Sequence, residues 1–420
     1  MRWIDHLSRE DGAPSPLERN LLLLILLGAL IVRLAALAVL NRPPESDGAA
    51  YLRMAQTAIA GPEMRDIYGN LALYSPGYPL FLTLPFRLFG ADVGVARAVN
   101  LLLGLAAVAL AWGVGRRAAN PLAGLIAAAG CAVLVPLVAS IDVLEREHLS
   151  VPLLLLFVLL AMRLPDSRRA GLIAAAAGLV FGYGLLTGIS SLFAGIAVAV
   201  ALWQRRRAGG TVMAPALAFA VAAALVVAPY IARNAAKLGA PVFSTNGGIN
   251  LYVGNNPTAT GGYVAPSDTP AGRDWKATRA RLGELGHDTL LKQLAFEWMA
   301  AHPVETALLD VKKLVLFWAP DTPDAGDADG GGAIRAIRWA GAAQHVLALA
   351  LALVAFAGWR WWRPGLWVVA AALVGFWGMH GIVYVMARYR TPAMPLVLVL
   401  AAVPVAALVA RRRSTAPLPA

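Results

Sequence analysis

Apolar runs long enough to cross a bilayer recur along this chain, at 21–40, 93–115, 122–139, 148–163, 170–186, 188–204, 213–232, 339–358, 365–386 and 392–410. A crossing needs about 20 apolar residues to span a hydrocarbon core of roughly 30 Å. Backbone groups in lipid must be satisfied within the protein, so separate runs of this kind are helices. Hydrophobic residues make up 59% of the 420, above the roughly 45–50% of soluble domains. The sequence therefore predicts an all-α polytopic membrane protein with about ten transmembrane helices.

The formal charge of +12 would suit nucleic acid if it were spread over one face. It falls instead in short clusters at run ends, Arg116-Arg117, Arg168-Arg169, Arg205-Arg206-Arg207, Arg360 with Arg363, and Arg411-Arg412-Arg413. That is the positive-inside pattern of an inner-membrane protein, and no nucleic-acid partner is expected. Placing these clusters in the cytoplasm puts both termini inside and 41–92, 140–147, 233–338 and 387–391 outside. The first run is long and lacks a small-residue cleavage site, so it is expected to stay as the first crossing. The lone cysteine, Cys131, lies inside a run, forms no internal disulfide and reads as a packing thiol.

Three divisions follow: an N-terminal transmembrane module, 1–232, with its first outer loop at 41–92; an outer region, 233–338, covering the site; and a C-terminal transmembrane module, 339–420. The run 306–319 is short and carries Asp310, Lys312 and Lys313, so an interfacial or re-entrant helix is expected there, not an eleventh crossing. In the first outer loop Tyr51, Met54, Ala55, Ala58 and Ile59 recur at helical spacing until Gly61-Pro62, which predicts an amphipathic helix along the membrane surface. Pro79 to Phe89, interrupted by Pro85, is expected in the interface as well. The outer region reads as turns around Asn246-Gly247-Gly248 and Gly254-Asn255-Asn256-Pro257, then as helix from about Trp275 to Ala301. Its acidic, Gly-rich part, 321–332, reads as mobile. There is no internal repeat and no separate soluble catalytic domain.

Several polar residues fall at the outer ends of the runs. Glu45 and Asp47 precede the surface helix. A carboxylate there can take the proton of an acceptor hydroxyl, or Ser46 or Asp47 can cap the helix. Glu145 and Glu147, just after Asp142 and with His148 as a further ligand, offer carboxylate oxygens for a divalent metal shared with Glu45 and Asp47; equally, these residues solvate a helix end and supply negative charge at its N-terminus. Arg233, Arg388 and Arg390 break the cytoplasmic bias. Guanidinium groups at those places bind a phosphate bidentately and stabilise its growing charge, or snorkel to headgroups. Arg33, inside the first run, is expected to make an ion pair, and His380, inside the ninth, to be a packed histidine. Tyr74-Ser-Pro-Gly-Tyr-Pro79 suits both interface anchoring and stacking on sugar faces.

Taken in order, these stretches resemble the lipid-linked-sugar glycosyltransferases of the GT-C class, specifically the protein mannosyltransferase and aminoarabinose transferase superfamily. The matching stretches are Ser46-Asp47-Gly-Ala-Ala-Tyr51, Tyr74-Ser-Pro-Gly-Tyr-Pro-Leu-Phe81, Glu147 before the fourth run, Arg233-Asn234, Ser244-Thr-Asn-Gly-Gly-Ile-Asn-Leu-Tyr252 with Gly254-Asn-Asn-Pro257, and Arg388-Tyr-Arg-Thr-Pro392. The resemblance covers most of the chain. It implies a GT-C-like fold, a polyprenyl-phosphate-linked sugar donor and an envelope glycan, lipid or protein acceptor outside the cytoplasmic membrane. It also implies Asp47 as catalytic base, outer arginines on the donor phosphate (Arg388, Arg390, Arg233), and substrate contacts from Tyr51, Tyr74, Tyr78, Asn255, Asn256 and Tyr389. Two departures stand out. The aminoarabinose transferases carry a basic residue before the first proline of the Pro-rich motif, where this chain has Ser75. The protein mannosyltransferases follow the Asp with a Glu, where this chain has Gly48.

The expected reaction is a single inverting displacement with Asp47 as general base; no cofactor is assigned, and a divalent metal stays open. A transporter or flippase of a lipid-linked saccharide is the alternative. Transporters bind near the midplane and often show inverted repeats, whereas here the outer charges gather at one face. A noncatalytic scaffold is a third class, and would tolerate loss of Asp47.

Overall fold

The computed structural model describes residues 12–61, 63–272, 274–322 and 332–414. The stretch read as mobile falls mostly on 323–331, outside the described residues. In chain order the first helices are α1 (Pro16–Val39), α2 (Ser46–Ala60), α3 (Gly77–Phe89), α4 (Val93–Ala118), α5 (Pro121–Ala132), α6 (Val135–Ala139), α7 (Glu147–Ala161) and α8 (Ala170–Thr187). After a 3-10 segment, Ile189–Gly195, come α9 (Ile196–Arg207), α10 (Met213–Leu238), α11 (Gly247–Gly254), α12 (Trp275–Ala301) and α13 (Pro303–Leu316). The chain closes with α14 (Gly332–Ala357), α15 (Pro364–Met379) and α16 (Met394–Ser414). Among the described residues the only strand-like pairing is an isolated bridge between Gly262 and Val385.

The helix starts carry local signals. Ser15 Oγ accepts from Glu18 N at 3.1 Å ahead of Pro16, Asp92 accepts from Val95 N at 3.0 Å, and Asn120 accepts from Ala123 N at 2.8 Å before Pro121. Each side chain satisfies an amide that the first turn leaves free. Among the described residues, 7 helical segments are long and apolar enough to cross a membrane. The fourth, sixth and ninth apolar runs form shorter helices, of 15, 12 and 16 residues. The ninth run, expected to reach 386, leaves the helix at Met379, so His380 ends the helix and does not lie inside it. The sixth opens as a 3-10 turn because α15 passes it too closely for anything larger than glycine: a Cβ on Gly375 would lie 2.0 Å from Phe193 O.

Small residues set the deepest contact in the bundle. Gly178 and Gly182, four apart on α8, meet the carbonyls of Phe219 and Ala223 on α10, and added Cβ atoms would come within 2.3 and 2.7 Å of them. Close backbone approach of this kind is the main source of helix association where lipid offers no hydrophobic drive. Arg33 supplies the other buried device. It is fully buried and pairs with no acid, against expectation; its guanidinium donates to Ala132 O at 2.8 Å, Ala29 O at 3.2 Å and Cys131 O at 3.4 Å. It thus closes the carbonyl end of α5, where the chain breaks before Pro136, and a cation is the natural partner of a helix C-terminus. Cys131 packs in the core beside it.

The outer segments follow their periodicity. On α2, Tyr51, Met54 and Ala55 are buried and Gly61 ends the helix. On α13, Val304, Leu308, Val311 and Val315 form one exposed apolar stripe, while Thr306, Leu309 and Lys313 are buried behind it. At 14 residues the helix is about 21 Å long, too short for a crossing, and its stripe is what an interfacial helix presents to lipid. Helix α12 has the expected ends but is broken at Gly283, whose φ of 71° only glycine adopts at little cost. The Asn246-Gly247-Gly248 stretch, read as turn, instead opens helix α11. Gly248 permits this: its N–H donates to Asp288 Oδ1 at 2.5 Å, and a Cβ there would lie 2.1 Å from Asp288 O. Leu251 and Tyr252 then pack on Leu291 and Ala295.

Replacing Gly182 with Leu is expected to destabilise the bundle by about 3 kcal/mol or more, because backbone, not a mobile side chain, occupies the space. A lowered unfolding temperature in detergent checks this.

Candidate active site

The site begins with a knot at the loop ends. Asp142, its side chain fully buried, accepts from Arg42 N at 2.9 Å, Nε at 3.1 Å and Nη2 at 2.5 Å. Arg97 adds bonds to Asp142 O at 3.1 Å, Asn41 Oδ1 at 2.5 Å and Arg42 O at 2.5 Å. The start of the 41–92 loop is thereby fixed to the 140–147 loop. Asn100 continues the tie, donating to Ile141 O at 3.2 Å and Val143 O at 3.0 Å and accepting from Tyr78 Oη at 2.7 Å. Ser46, at a φ of 47°, turns the chain into α2; a non-glycine residue in that region is an uncommon, strained state.

Asp47 follows in the first turn of α2. It does not cap the helix; Glu45 holds the cap position and makes no side-chain cap bond. The Asp47 carboxylate instead accepts from Arg388 Nη2 at 2.5 Å, and Arg388 Nη1 reaches Glu145 Oε1 at 3.3 Å. Arg388 stands on the 3-10 turn Ala387–Arg390, and its Nε is buried without a partner. Burial opposes its charge, but Asp47, Glu147, Glu145 and the Tyr389 phenol hold its pKa above the ordinary value. Burial, then the charge of Glu147, push Glu145 above its ordinary value against the pull of Arg388.

These groups open onto a cavity of about 980 Å³. Asp47, Tyr51, Tyr74, Glu147, Arg388 and Tyr389 line it, and Glu145 meets Arg388 from behind. Tyr51 packs edge-on against Tyr74 at 5.7 Å and Tyr78 at 5.8 Å. Burial raises the Tyr51 and Tyr74 phenols, so both stay protonated donors at neutral pH. Phe376 and Met379 give the cavity an apolar flank.

Other expected site residues are committed elsewhere. Tyr78 is fully buried and spends its hydroxyl on Asn100. Arg233 donates to Leu71 O at 2.8 Å, Asn234 Oδ1 at 2.8 Å and Met64 O at 3.3 Å, bracing the first outer loop. Arg390 donates to Ala319 O at 2.7 Å. Asn255 donates to Leu251 O and Ile382 O, both at 2.9 Å, and Asn256 to Tyr252 O at 2.8 Å; both are buried. His148 is buried with Nε2 2.9 Å from Ser140 O, and Glu45 is exposed off the cavity. None of these lines it. Among the described residues no three His, Cys, Asp or Glu side chains come together as metal ligands. The place between Asp47 and Glu145 is filled by the Arg388 guanidinium.

Arg146 escaped the sequence reading, which weighed the acids around it and passed over the cation between them. It lines the cavity, donates to Ser75 Oγ at 3.3 Å and pairs with Glu147 at 3.6 Å. Burial weighs against its charge, yet Tyr51 and Glu147 hold its pKa above the ordinary value. The clue was Ser75: a Pro-rich motif lacking its basic residue receives a guanidinium from the second outer loop.

Residues 74–232, less than half of the chain, match the family model described as dolichyl-phosphate-mannose-protein mannosyltransferase. The archaeal oligosaccharyltransferase AglB from Archaeoglobus fulgidus, solved with an inhibitory peptide and a dolichol-phosphate, superposes with a TM-score of 0.56 at 15% identity, covering 96% of this chain and 52% of that one. The oligosaccharyltransferase of the same organism tethered to an acceptor peptide gives 0.56 at 14% identity, with 94% and 50% covered. This chain thus spans about half the length of those proteins. ArnT from Cupriavidus metallidurans, bound to undecaprenyl phosphate, is a looser likeness at 0.44 and 15% identity, over 94% of this chain and 81% of that one. No protein of curated function matches. The protein is a polytopic helical membrane protein with the GT-C fold. The mannosyltransferase family model matches its residues 74–232.

Arg42→Ala is expected to cost about 1–3 kcal/mol by stranding a buried carboxylate. Asp142 is held below its ordinary value, burial opposing and the Arg42 bonds prevailing. The stabilisation is therefore present above the unfolded carboxylate range, near about 4, and is lost as pH falls through the folded value. Melting temperatures of the two proteins should differ at neutral pH and converge in acid.

Proposed function

We propose that this chain is a membrane glycosyltransferase that moves a sugar from a polyprenyl-phosphate donor to an acceptor hydroxyl on a glycan, lipid or protein of the envelope. The observation that carries the reading is the meeting of Asp47 and Arg388 in one cavity: a base and a phosphate-binding cation, 341 residues apart, within reach of one ligand. The family match and the GT-C fold support it. The outer face of the inner membrane is the expected side. Most of the cavity wall comes from the segments that the arginine clusters place outside, the rest from adjoining run ends such as Ser150, Ser190 and Phe376, and Arg116, Arg117 and Arg205 lie at the other ends of α4 and α9.

Transfer is read as one inverting displacement. Asp47 takes the proton of the acceptor hydroxyl while its oxygen bonds to the anomeric carbon. The bond from that carbon to the phosphate oxygen breaks, and the electron pair leaves on the polyprenyl phosphate. Arg388, with Arg146 beside it, stabilises the added charge. In the structure Arg388 holds Asp47, so an arriving phosphate would compete for the guanidinium and free the base. The outer region 233–338 would act as the cover, with 1–232 and 339–420 as the two membrane modules.

Asp47→Asn is expected to lower transfer by about 10²–10⁴-fold while polyprenyl phosphate still binds. Arg388→Ala should weaken that binding as well as transfer. Release of polyprenyl phosphate from a radiolabelled polyprenyl-phosphate sugar, followed in membranes with a crude envelope acceptor, measures both. Full activity in Asp47→Asn would remove the proposal. Sugar-lipid translocation in liposomes that survives this substitution would favour a flippase.

A further inference from the structure

Within the cavity wall two kinds of cation differ in one respect. Arg388 and Arg146 are each paired with carboxylates. Lys276 and Arg279 also line the cavity, three apart on α12 and therefore on one face, and neither makes an ion pair among the described residues. Arg279 Nη2 is buried and has no hydrogen-bond partner. The acid of their helix that also lines the cavity, Glu284, is engaged otherwise: it accepts from Leu71 N at 3.1 Å, Ala72 N at 3.3 Å and Thr245 Oγ1 at 3.2 Å. The break at Gly283 separates the two roles. Residues beyond it anchor to the first outer loop, and the segment before it lays its cations on the cavity.

A buried guanidinium nitrogen without an acceptor is costly unless a ligand supplies one, and a guanidinium beside an ammonium is a fitting receptor for a phosphate. We propose that Lys276 and Arg279 form a second anion subsite, separate from Arg388, which takes a phosphate group of the substrate. This rests on the reading of Arg388 as the site of the donor's sugar-bearing phosphate. The group at Lys276 and Arg279 is then either the second phosphate of a polyprenyl diphosphate or a phosphate carried by the acceptor.

The test uses the full chain in phosphatidylcholine nanodiscs, with inorganic phosphate as probe followed by phosphorus NMR. Inorganic phosphate should remain bound when polyprenyl monophosphate saturates the protein. In the Lys276→Ala/Arg279→Ala double variant its affinity should fall by about tenfold or more, with polyprenyl monophosphate binding unchanged as evidence of an intact fold. Arg279→Lys, which keeps the charge, should retain most of it. Displacement of inorganic phosphate by polyprenyl diphosphate assigns the subsite to the donor; persistence assigns it to the acceptor. Complete displacement by polyprenyl monophosphate, or equal affinity in the double variant, would overturn the subsite. Failure of polyprenyl monophosphate to bind, or binding unaffected by Arg388→Ala, would instead overturn the reading beneath it.

Discussion

The contact between Arg388 and Asp47 organises this end of the molecule. It joins the start of α2 to the 3-10 turn Ala387–Arg390, and every element around it is arranged so that both ends are rigid. Asp47 is set by the strained entry at Ser46 and by the Arg42, Arg97 and Asp142 knot behind it. Arg388 is set by a short 3-10 turn, with Glu145 holding its second nitrogen. Two charges half-withdrawn from water attract each other more strongly than at a surface, but they also lose hydration. The pair is therefore stable only because the surrounding loops fix its geometry, and it stays exchangeable because an anion can offer Arg388 the same bonds.

The helices were legible in the sequence because lipid imposes one solution on a long apolar run. Run position therefore predicted a helix at each apolar run, 7 of the helical segments among the described residues being long and apolar enough to cross a membrane, and helical spacing predicted α2 and both ends of α12. Ends and breaks were less legible. The 3-10 start before α9 and the helix at Gly247–Gly254 lie where another backbone approaches closely. A single sequence does not carry that information.

At the site the same division holds. Asp47, Arg388, Glu147, Tyr51, Tyr74 and Tyr389 were readable as outer polar or aromatic residues, and the fold gathers them on one cavity. Arg233, Arg390, Asn255, Asn256 and Tyr78 looked equivalent to them by type and position along the chain. The fold turns these toward carbonyls and amides, as braces. A guanidinium aimed at a backbone oxygen and one aimed at solvent have the same letter; only tertiary placement separates them. Arg146 is the converse, a residue obscured by the acids on either side whose surroundings make it part of the wall.

Helix α13 lies with its apolar stripe outward, and its buried face carries Lys313. Burial pushes that ammonium below its ordinary pKa against the Asp310 bond, and it donates to Asn255 Oδ1 at 2.9 Å and Ile382 O at 3.5 Å. Ile382 begins the stretch that runs to Arg388, and Val385 N in the same stretch bonds Gly261 O at 3.0 Å. The helix with the outward apolar stripe and the stretch of chain bearing Arg388 thus share one rivet. Removing the Lys313 ammonium would therefore loosen α13 and the stretch leading to Arg388 together.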